Sequence, residues 1–289
     1  MIIDAHVHLW KKQHGTVGRK PVFGIGGGKS DFGGEIRQMM PPYLDNENIA
    51  EPLLQNMDYA GVSAAVVTQE YIDGNQDDYL SEVRQRYPNR FRICGLYEGQ
   101  PEADARFDGI KVPAQRLENP NLMPLLPLMR DMEKKDMFLS IDLLEGDRQT
   151  GHLKEIIQEC PNLRIAVGHF GMASRDGWEA QIKLARYPNV RIESGGITWL
   201  FHKEFYPYPS AVKAIRRAAE ICGMEKLMWG SDYPRTMTEI TYKMSYDFLE
   251  KGALLTKEEQ RLFLGENAAR FYRFEGIVTP PKIKNMLED

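Results

Sequence analysis

Short apolar segments alternate with longer amphipathic segments along the whole chain. The short segments are rich in Val, Ile, Leu and Ala, and most are bounded by Gly, Pro, Asn or Asp, as is typical of strands that are buried on both faces of a sheet. The predicted strands are Ile2–Val7, Val62–Thr68, Phe91–Tyr97, Gly109–Val112, Met137–Leu143, Leu163–His169, Val190–Glu193 and Lys226–Gly230. The predicted helices between and after them are Ile49–Ala60, Asp77–Tyr87, Leu122–Lys135, His152–Cys160, Trp178–Tyr187, Ala211–Cys222 and Glu239–Lys251.

This alternation predicts the α/β class, with a parallel sheet that closes as a single (β/α)8 TIM-type barrel. The length of 289 residues suits one such barrel. No change of composition marks a second domain, so we expect residues 1–289 to form one domain. A last helical segment is expected at Thr256–Phe274, and residues 275–289 are expected to form a tail.

The segment from residue 11 to residue 47 interrupts the alternation. It contains six glycines between Gly24 and Gly34, followed by a Pro-Pro pair at 41–42. A long loop without secondary structure in a compact domain is usually functional, so we expect an irregular loop after strand 1 that acts as a lid over the site. The run Gly24–Lys29 lacks the spacing of a phosphate-binding loop, and no nucleotide cofactor is expected.

Charge and cysteine content narrow the classes of function. Lys and Arg number 37 and Asp and Glu number 41, so the net charge is −4 and nucleic acid is not an expected partner. No apolar run approaches the roughly 18 residues that a membrane helix needs. The three cysteines form no CxxC pair, and the first residues do not resemble a signal peptide, so we expect a cytoplasmic protein. No apolar stripe in the sequence marks an interface, so the sequence leaves open whether the chain forms a homo-oligomer.

Histidines and one aspartate fall at strand ends. His6 and His8 lie two positions apart at the end of the first strand, so both side chains face the barrel interior. Such a pair is suited to bind a metal or to polarise a carbonyl, and the alternative is two buried, hydrogen-bonded structural histidines. His169 and Asp232 end the sixth and eighth strands, at the rim where barrels carry catalytic residues.

Three motifs and one C-terminal segment together resemble the amidohydrolase superfamily, and its amidohydrolase-2 branch in particular. The motifs are Asp-Ala-His-Val-His at 4–8, Gly-His-Phe-Gly at 168–171 and Gly-Ser-Asp-Tyr-Pro at 230–234, and the segment is Gly-Glu-Asn-Ala-Ala-Arg-Phe-Tyr at 265–272. The likeness spans essentially the whole chain in the right order. It implies a distorted barrel and, usually, hydrolytic or decarboxylating chemistry on a small acid or lactone.

The sequence departs from the family pattern on the fifth strand. Metal-dependent members usually carry another histidine there, whereas Met137–Leu143 contains none. Asp142 is a hard oxygen donor on that strand and a candidate fourth ligand. The pattern therefore looks more like the subgroup of sugar-acid and pyrone-dicarboxylate lactonases, some of which need no metal, and less like the zinc decarboxylases.

We expect a hydrolase of a small carboxylic ester, in particular a sugar-acid lactone. Asp232 would activate the attacking water and pass its proton to the leaving oxygen. His6, His8 and His169 would polarise the carbonyl, directly or through zinc. If zinc or another divalent metal is bound, its expected ligands are His6, His8 and Asp232. The alternative function is zinc-dependent decarboxylation of an aromatic or unsaturated acid.

Four further residues are candidate contacts to a small-molecule substrate. Lys111 ends the fourth strand, Glu70 follows the second, Arg235 lies in the loop of Asp232, and Trp10 follows the first strand. The cations would bind a carboxylate or a sugar hydroxyl, the glutamate would accept hydrogen bonds from hydroxyls, and the tryptophan would stack on the sugar. The alternatives are a solvated lysine, a helix cap at Glu70 and a ring that merely closes the barrel mouth.

Overall fold

The computed structural model describes residues 1–251 and 254–287, which contain one parallel and one antiparallel sheet. The strands are β1 (Ile3–Val7), β2 (His14–Val17), β3 (Lys20–Gly26), β4 (Lys29–Phe32), β5 (Ile36–Gln38), β6 (Ala64–Val67), β7 (Phe91–Leu96), β8 (Gly109–Val112), β9 (Phe138–Ile141), β10 (Arg164–Val167), β11 (Val190–Glu193) and β12 (Leu227–Met228). The α-helices are α1 (Ala50–Ala60), α2 (Asp77–Arg86), α3 (Leu126–Lys134), α4 (Thr150–Glu159), α5 (Glu179–Ile182), α6 (Ile197–Leu200), α7 (Pro209–Cys222), α8 (Met244–Lys251), α9 (Lys257–Arg261) and α10 (Asn267–Phe271).

The parallel sheet has eight strands in the order β1-β6-β7-β8-β9-β10-β11-β12, which confirms the predicted TIM-type barrel. Strands β6, β8 and β9 are buried along their whole length, as the continuous apolar runs predicted. The segment after β12 closes the barrel against β1. There the amide of Ala5 donates to the carbonyl of Trp229 and the amide of His8 donates to the carbonyl of Tyr233, each over 2.8 Å.

The helices cover the outside of the barrel with one apolar face each. In α1 the buried side chains include Leu53 and Met57, four positions apart on one face. Helices α2 and α4 end at Arg86 and Glu159, just before the pairs Tyr87-Pro88 and Cys160-Pro161. Proline cannot continue a helix, so the strand that follows begins at a fixed place.

The segment 11–47 is not irregular, contrary to the sequence expectation. Strands β2, β3, β4 and β5 form an antiparallel sheet in that order, which we call the insert sheet. Gly18 (φ +52°) and Gly33 (φ +69°) lie in the turns between its strands, in the left-handed conformation that favours glycine. The many glycines of this segment favour an irregular loop in the sequence analysis, but these two are the turn residues of hairpins.

The insert sheet is attached to the barrel through β2. The amide of Thr16 donates to the carbonyl of Tyr71 over 2.8 Å, in the loop after β6. Gly15 allows this approach, because a Cβ atom at that position would lie 2.0 Å from the Tyr71 carbonyl oxygen. One face of the sheet, with Val17 and Phe32, lines the cavity described below.

The other end of the barrel is closed by the C-terminal helical segment. A π-helix at Leu262–Glu266 joins α9 to α10, and Phe271 and Tyr272 pack against Ile3 and Phe138 in the barrel interior. The residues from 275 to 287 that follow contain no helix or strand. Among the described residues, no helix is long and apolar enough to cross a bilayer.

Candidate active site

A cavity of about 830 Å³ opens at the carboxyl ends of the barrel strands. The loops after β1, β6, β9, β10 and β12 contribute polar side chains to its wall, and the insert sheet and its flanking residues contribute both apolar and charged ones. The polar side chains include His8, Glu70, Asp142, His169, Asp232 and Arg235. Catalytic residues of barrel enzymes lie at this end because parallel strands all point their carboxyl ends to it.

His6, His8 and Asp232 come together at the cavity, with His8 and Asp232 on its wall and His6 behind them. The Nε2 atoms of the two histidines are 3.1 Å apart, and Asp232 Oδ1 lies 3.0 Å from His8 Nε2. One ligand atom of each residue lies within 4.8 Å of the others, and all three residues are buried. The register of β1 shifts between Asp4 and Val7. Before the shift the odd-numbered side chains face the barrel interior, and after it the even-numbered ones do, so both imidazoles point inward.

Glu193, at the end of β11, fixes the ring of His6. Its Oε1 lies 2.7 Å from His6 Nδ1, and its Oε2 accepts a hydrogen bond from the Gly195 amide over 2.6 Å. Burial opposes the charge on Glu193, but the adjacent His6 lowers the pKa of this carboxyl below its ordinary value. An ionised Glu193 holds the proton of His6 on Nδ1, so that Nε2 presents its lone pair to the site.

His8 is held in the neutral form. Burial and the nearby guanidinium of Arg235 lower the pKa of His8 well below its ordinary value, although Asp232 opposes the shift. Arg235 itself makes a bidentate ion pair with Asp73, over 2.8 and 2.9 Å. A neutral imidazole is the form that binds a metal ion or shares a proton with a carboxylate.

Asp232 is ionised and fixed at both carboxylate oxygens. Its Oδ1 faces His8, and its Oδ2 accepts a hydrogen bond from Trp199 Nε1 over 2.9 Å. Burial raises the pKa of Asp232, but the His8 hydrogen bond and the charge of Arg235 outweigh it and hold the pKa below its ordinary value. The carboxylate is therefore available as a base at neutral pH.

His169 lies on the cavity wall, with 18% of its side chain exposed. Its Nδ1 donates to the carbonyl of Gly195 over 2.8 Å, and its Nε2 lies 3.4 Å from Asp142 Oδ2. Burial works to lower the pKa of His169, yet Asp142 reverses the shift and raises it to about 10. With its Nδ1–H donated to Gly195, the protonated ring has one further N–H, at Nε2, which faces Asp142 Oδ2 over a long 3.4 Å and can also donate to an acceptor in the cavity.

Lys111 and Asp142 form a buried ion pair beside His169. Lys111 is 0% exposed, and its Nζ lies 2.7 Å from Asp142 Oδ1. Burial works against both charges, but each partner stabilises the other, so the pKa of Lys111 is raised and that of Asp142 is well below its ordinary value. In this structure Asp142 therefore pairs with Lys111 and His169 and is not part of the group formed by His6, His8 and Asp232.

We expect Lys111→Met to lower the free energy of unfolding by about 3–5 kcal/mol, because it leaves the Asp142 carboxylate buried without its lysine. Urea denaturation followed by circular dichroism measures the change. Lys213→Met, at an exposed position of α7, is the matched control and should change stability by less than about 0.5 kcal/mol. Equal stabilities of the two variants would contradict the role of the ion pair.

Two of the four predicted substrate contacts line the cavity and two do not. Glu70 and Arg235 are part of its wall, whereas Lys111 and Trp10 lie behind it. Trp10 is almost completely buried, with its ring 5.8 Å from the Arg235 guanidinium carbon. Lys111 does not lie at the rim, because it forms a buried ion pair with Asp142 in the interior. The sequence analysis does not predict this pairing.

The sequence analysis did not identify the supporting roles of Glu193 and Asp73, or the hydrogen bond from Trp199 to Asp232. Glu193 ends β11 and faces inward, so the strand-end rule that selected His169 and Asp232 applies to it as well. Asp73 precedes Gly74 in a loop and has the appearance of a turn residue. Its pairing with Arg235, far away in sequence, carries no local signal.

The sequence is similar to a protein family and to a curated protein over most of its length. The family model described as amidohydrolase (Amidohydro_2) matches residues 3–274. A curated L-fucono-1,5-lactonase of Burkholderia ambifaria is 26% identical over 310 aligned positions, which cover 94% of this chain and 96% of that protein.

Solved structures share the fold over nearly the whole chain. A probable 2-pyrone-4,6-dicarboxylic acid hydrolase from Acinetobacter baumannii superposes with a TM-score of 0.70 at 18% identity, covering 94% of this chain and 99% of that one. An amidohydrolase from Burkholderia multivorans, solved with bound zinc, gives a TM-score of 0.68 at 17% identity, with the same coverage of 94% and 99%. Because the family model matches residues 3–274, which is almost the whole of the given sequence, this chain belongs to the amidohydrolase family.

Proposed function

We propose that the protein hydrolyses the ring ester of a small lactone, with sugar-acid lactones as the substrate class. The observation that carries the proposal is the placement of an ionised Asp232 and a protonated His169 on the wall of one cavity. Ester hydrolysis needs a base for water and a donor for the carbonyl oxygen, and these two groups supply both. The full-length likeness to an L-fucono-1,5-lactonase supports the choice of a lactone.

The reaction uses the residues in a fixed order. His169 donates a hydrogen bond to the lactone carbonyl oxygen, on which negative charge develops. Asp232 accepts a proton from water as the water oxygen bonds to the carbonyl carbon. When the tetrahedral intermediate collapses, the ring C–O bond breaks, and Asp232 returns the proton to the leaving alkoxide. The products are a hydroxy acid and the free Asp232 carboxylate.

His6, His8 and Asp232 also fit a divalent metal such as zinc. The lone pair of His6 Nε2 faces His8 Nε2 at 3.1 Å, so one proton must lie between the two imidazoles and Asp232. A metal cation is a chemical substitute for that shared proton, and the two imidazoles and one carboxylate are ligands that zinc accepts. When bound there, the metal supplies a Lewis acid and lowers the pKa of bound water.

Substrate binding is assigned to the remaining wall of the cavity. Glu70 and Arg235 present polar groups to it, and each has a partner in the protein: Arg116 lies 2.9 Å from Glu70, and Asp73 lies 2.8 Å from Arg235. Val17 and Phe32 of the insert sheet provide an apolar surface opposite these groups. A sugar acid presents both hydroxyls and an apolar ring face, which matches the two kinds of wall. In this proposal the insert sheet is the cover of the site.

A panel of sugar-acid 1,4- and 1,5-lactones tests the function, with acid release followed by a pH indicator. We expect catalysed acid release and no release of CO2. Metal content is measured by mass spectrometry on the same preparation, and the assay is repeated after chelation. Loss of activity on chelation would assign His6, His8 and Asp232 as ligands, and full activity without metal would leave Asp232 as the sole activator of water. Release of CO2 from aromatic acids, with no lactone turnover, would contradict the proposal.

A further inference from the structure

One edge of the insert sheet is open to solvent. The strand order β2-β3-β4-β5 makes β5 an edge strand, and all three residues of β5 are exposed. The opposite edge, β2, is attached to the loop after β6, as described above. Within residues 1–251 and 254–287, no further strand pairs with β5. An exposed strand edge is a template for another strand, unless charge or shape prevents the pairing.

The hydrogen-bonding pattern shows which backbone groups face this edge. The amide of Phe32 donates to the carbonyl of Glu35 over 2.8 Å, and the amide of Met39 donates to the carbonyl of Gly28 over 2.9 Å. Because backbone groups alternate along an antiparallel strand, Arg37 also faces β4, whereas Ile36 directs its N–H and C=O away from the sheet. The side chain of Ile36 is 61% exposed, which is unusual for an isoleucine in a strand.

The two charged residues beside Ile36 are of opposite sign, so the segment can pair with a second copy of itself. Glu35 and Arg37 flank Ile36 with opposite charges, and their side chains form an exposed ion pair with each other over 2.9 Å. If a second β5 strand runs antiparallel with Ile36 opposite Ile36, each Glu35 lies opposite an Arg37 of the other copy. An exposed ion pair within one chain contributes little, so exchanging it for pairs across the strands costs little. Charged side chains usually protect an edge strand from pairing, but the charges here are of opposite sign and can pair with those of a second copy.

We propose that two copies of this chain associate through β5, with Ile36 on the two-fold axis and the two insert sheets joined into one continuous sheet. The Ile36 N–H of each copy donates to the Ile36 C=O of the other, and the two Ile36 side chains contact each other on the outer face. Glu35 and Arg37 line the cavity, so the second copy adds its own pair to the rim of each cavity. Because β5 has only three residues, the interface is small and the association is expected to be reversible and concentration-dependent.

Charge reversal tests the register. Sedimentation velocity of the wild-type chain is expected to show a monomer–dimer equilibrium. Glu35→Arg places two positive charges around Ile36, Arg37→Glu places two negative charges there, and each variant alone is expected to be a monomer. An equimolar mixture of the two variants is expected to form a heterodimer, and the double variant Glu35→Arg/Arg37→Glu is expected to form a homodimer.

The mixture separates pairing from a folding defect, because a misfolded chain would not regain association with an oppositely charged one. Ile36→Pro is a second variant, which removes the outward N–H and no hydrogen bond to β4. It should be monomeric with an unchanged circular dichroism spectrum. Ile36→Val, which keeps the N–H, is its control and should dimerise. A wild type that stays monomeric at its highest soluble concentration overturns the proposal, as do single-charge variants that still dimerise or a mixture that does not associate.

Discussion

Asp232→Asn is expected to lower kcat for lactone hydrolysis by about 10²–10⁴-fold, because an amide cannot take the proton of the attacking water. The amide can still contact His8 and Trp199, which hold the two carboxylate oxygens at 3.0 and 2.9 Å, so the fold should be retained. Steady-state rates on the best lactone of the panel measure the loss, and a thermal melt checks that the variant is folded.

Asp78→Asn is the matched control for this experiment. It makes the same chemical change at a carboxylate that is 97% exposed and paired with Arg106 on the surface. Its kcat should equal that of the wild type. A folded Asp232→Asn variant with wild-type kcat would assign the base to another residue and refute the proposed reaction sequence.

His169→Asn is expected to lower kcat by about 10²–10³-fold with a small effect on KM, since it removes a charged donor that acts mainly on the developing oxyanion. The His169 imidazolium also stabilises the fold through Asp142. Because folding raises the pKa of His169 from 6.5 to about 10, its contribution to stability is fully present below pH 6.5 and is lost as the pH rises through about 10. The difference in free energy of unfolding between wild type and variant should therefore shrink over that range.

His14→Asn is the control for the second variant, because His14 is an exposed histidine of the insert sheet that does not line the cavity. It should leave kcat unchanged. If His169→Asn lowered kcat while its stability difference from wild type stayed constant with pH, the ring would act as a neutral group, and the assignment of an imidazolium would be wrong.

The barrel was predictable because its signal is local and repeated. Each buried strand is a short apolar run with turn residues at its ends, and the rule that catalytic groups lie at the carboxyl ends of barrel strands selected His169 and Asp232 directly. His6 and His8 were placed together by the two-residue period of a strand. The structure brings both histidines and Asp232 into one group, so these three residues of the candidate site could be predicted to lie together from the sequence.

The partners of these residues are harder to predict from the sequence. Whether Lys111 points into the cavity or into the interior depends on Asp142, which lies on a neighbouring strand and is not adjacent in sequence. Likewise Glu193 selects the proton position of His6 through a contact that only the closed barrel creates. The insert sheet was missed for another reason, because glycine is used both in flexible segments and in tight hairpin turns. Composition alone does not distinguish these two uses.

The closure of the barrel by its C-terminal segment constrains how the chain can fold during synthesis. Ile3 belongs to the same interior cluster as Phe271 and Tyr272, so the first strand meets its cover only after the chain has been made as far as α10. Contacts between residues so distant in sequence form late, since closing such a long loop costs entropy before the contact is gained. A nascent chain that lacks α10 leaves the apolar end of the barrel interior around Ile3 uncovered, and this is the stage at which a chaperone would have most to shield.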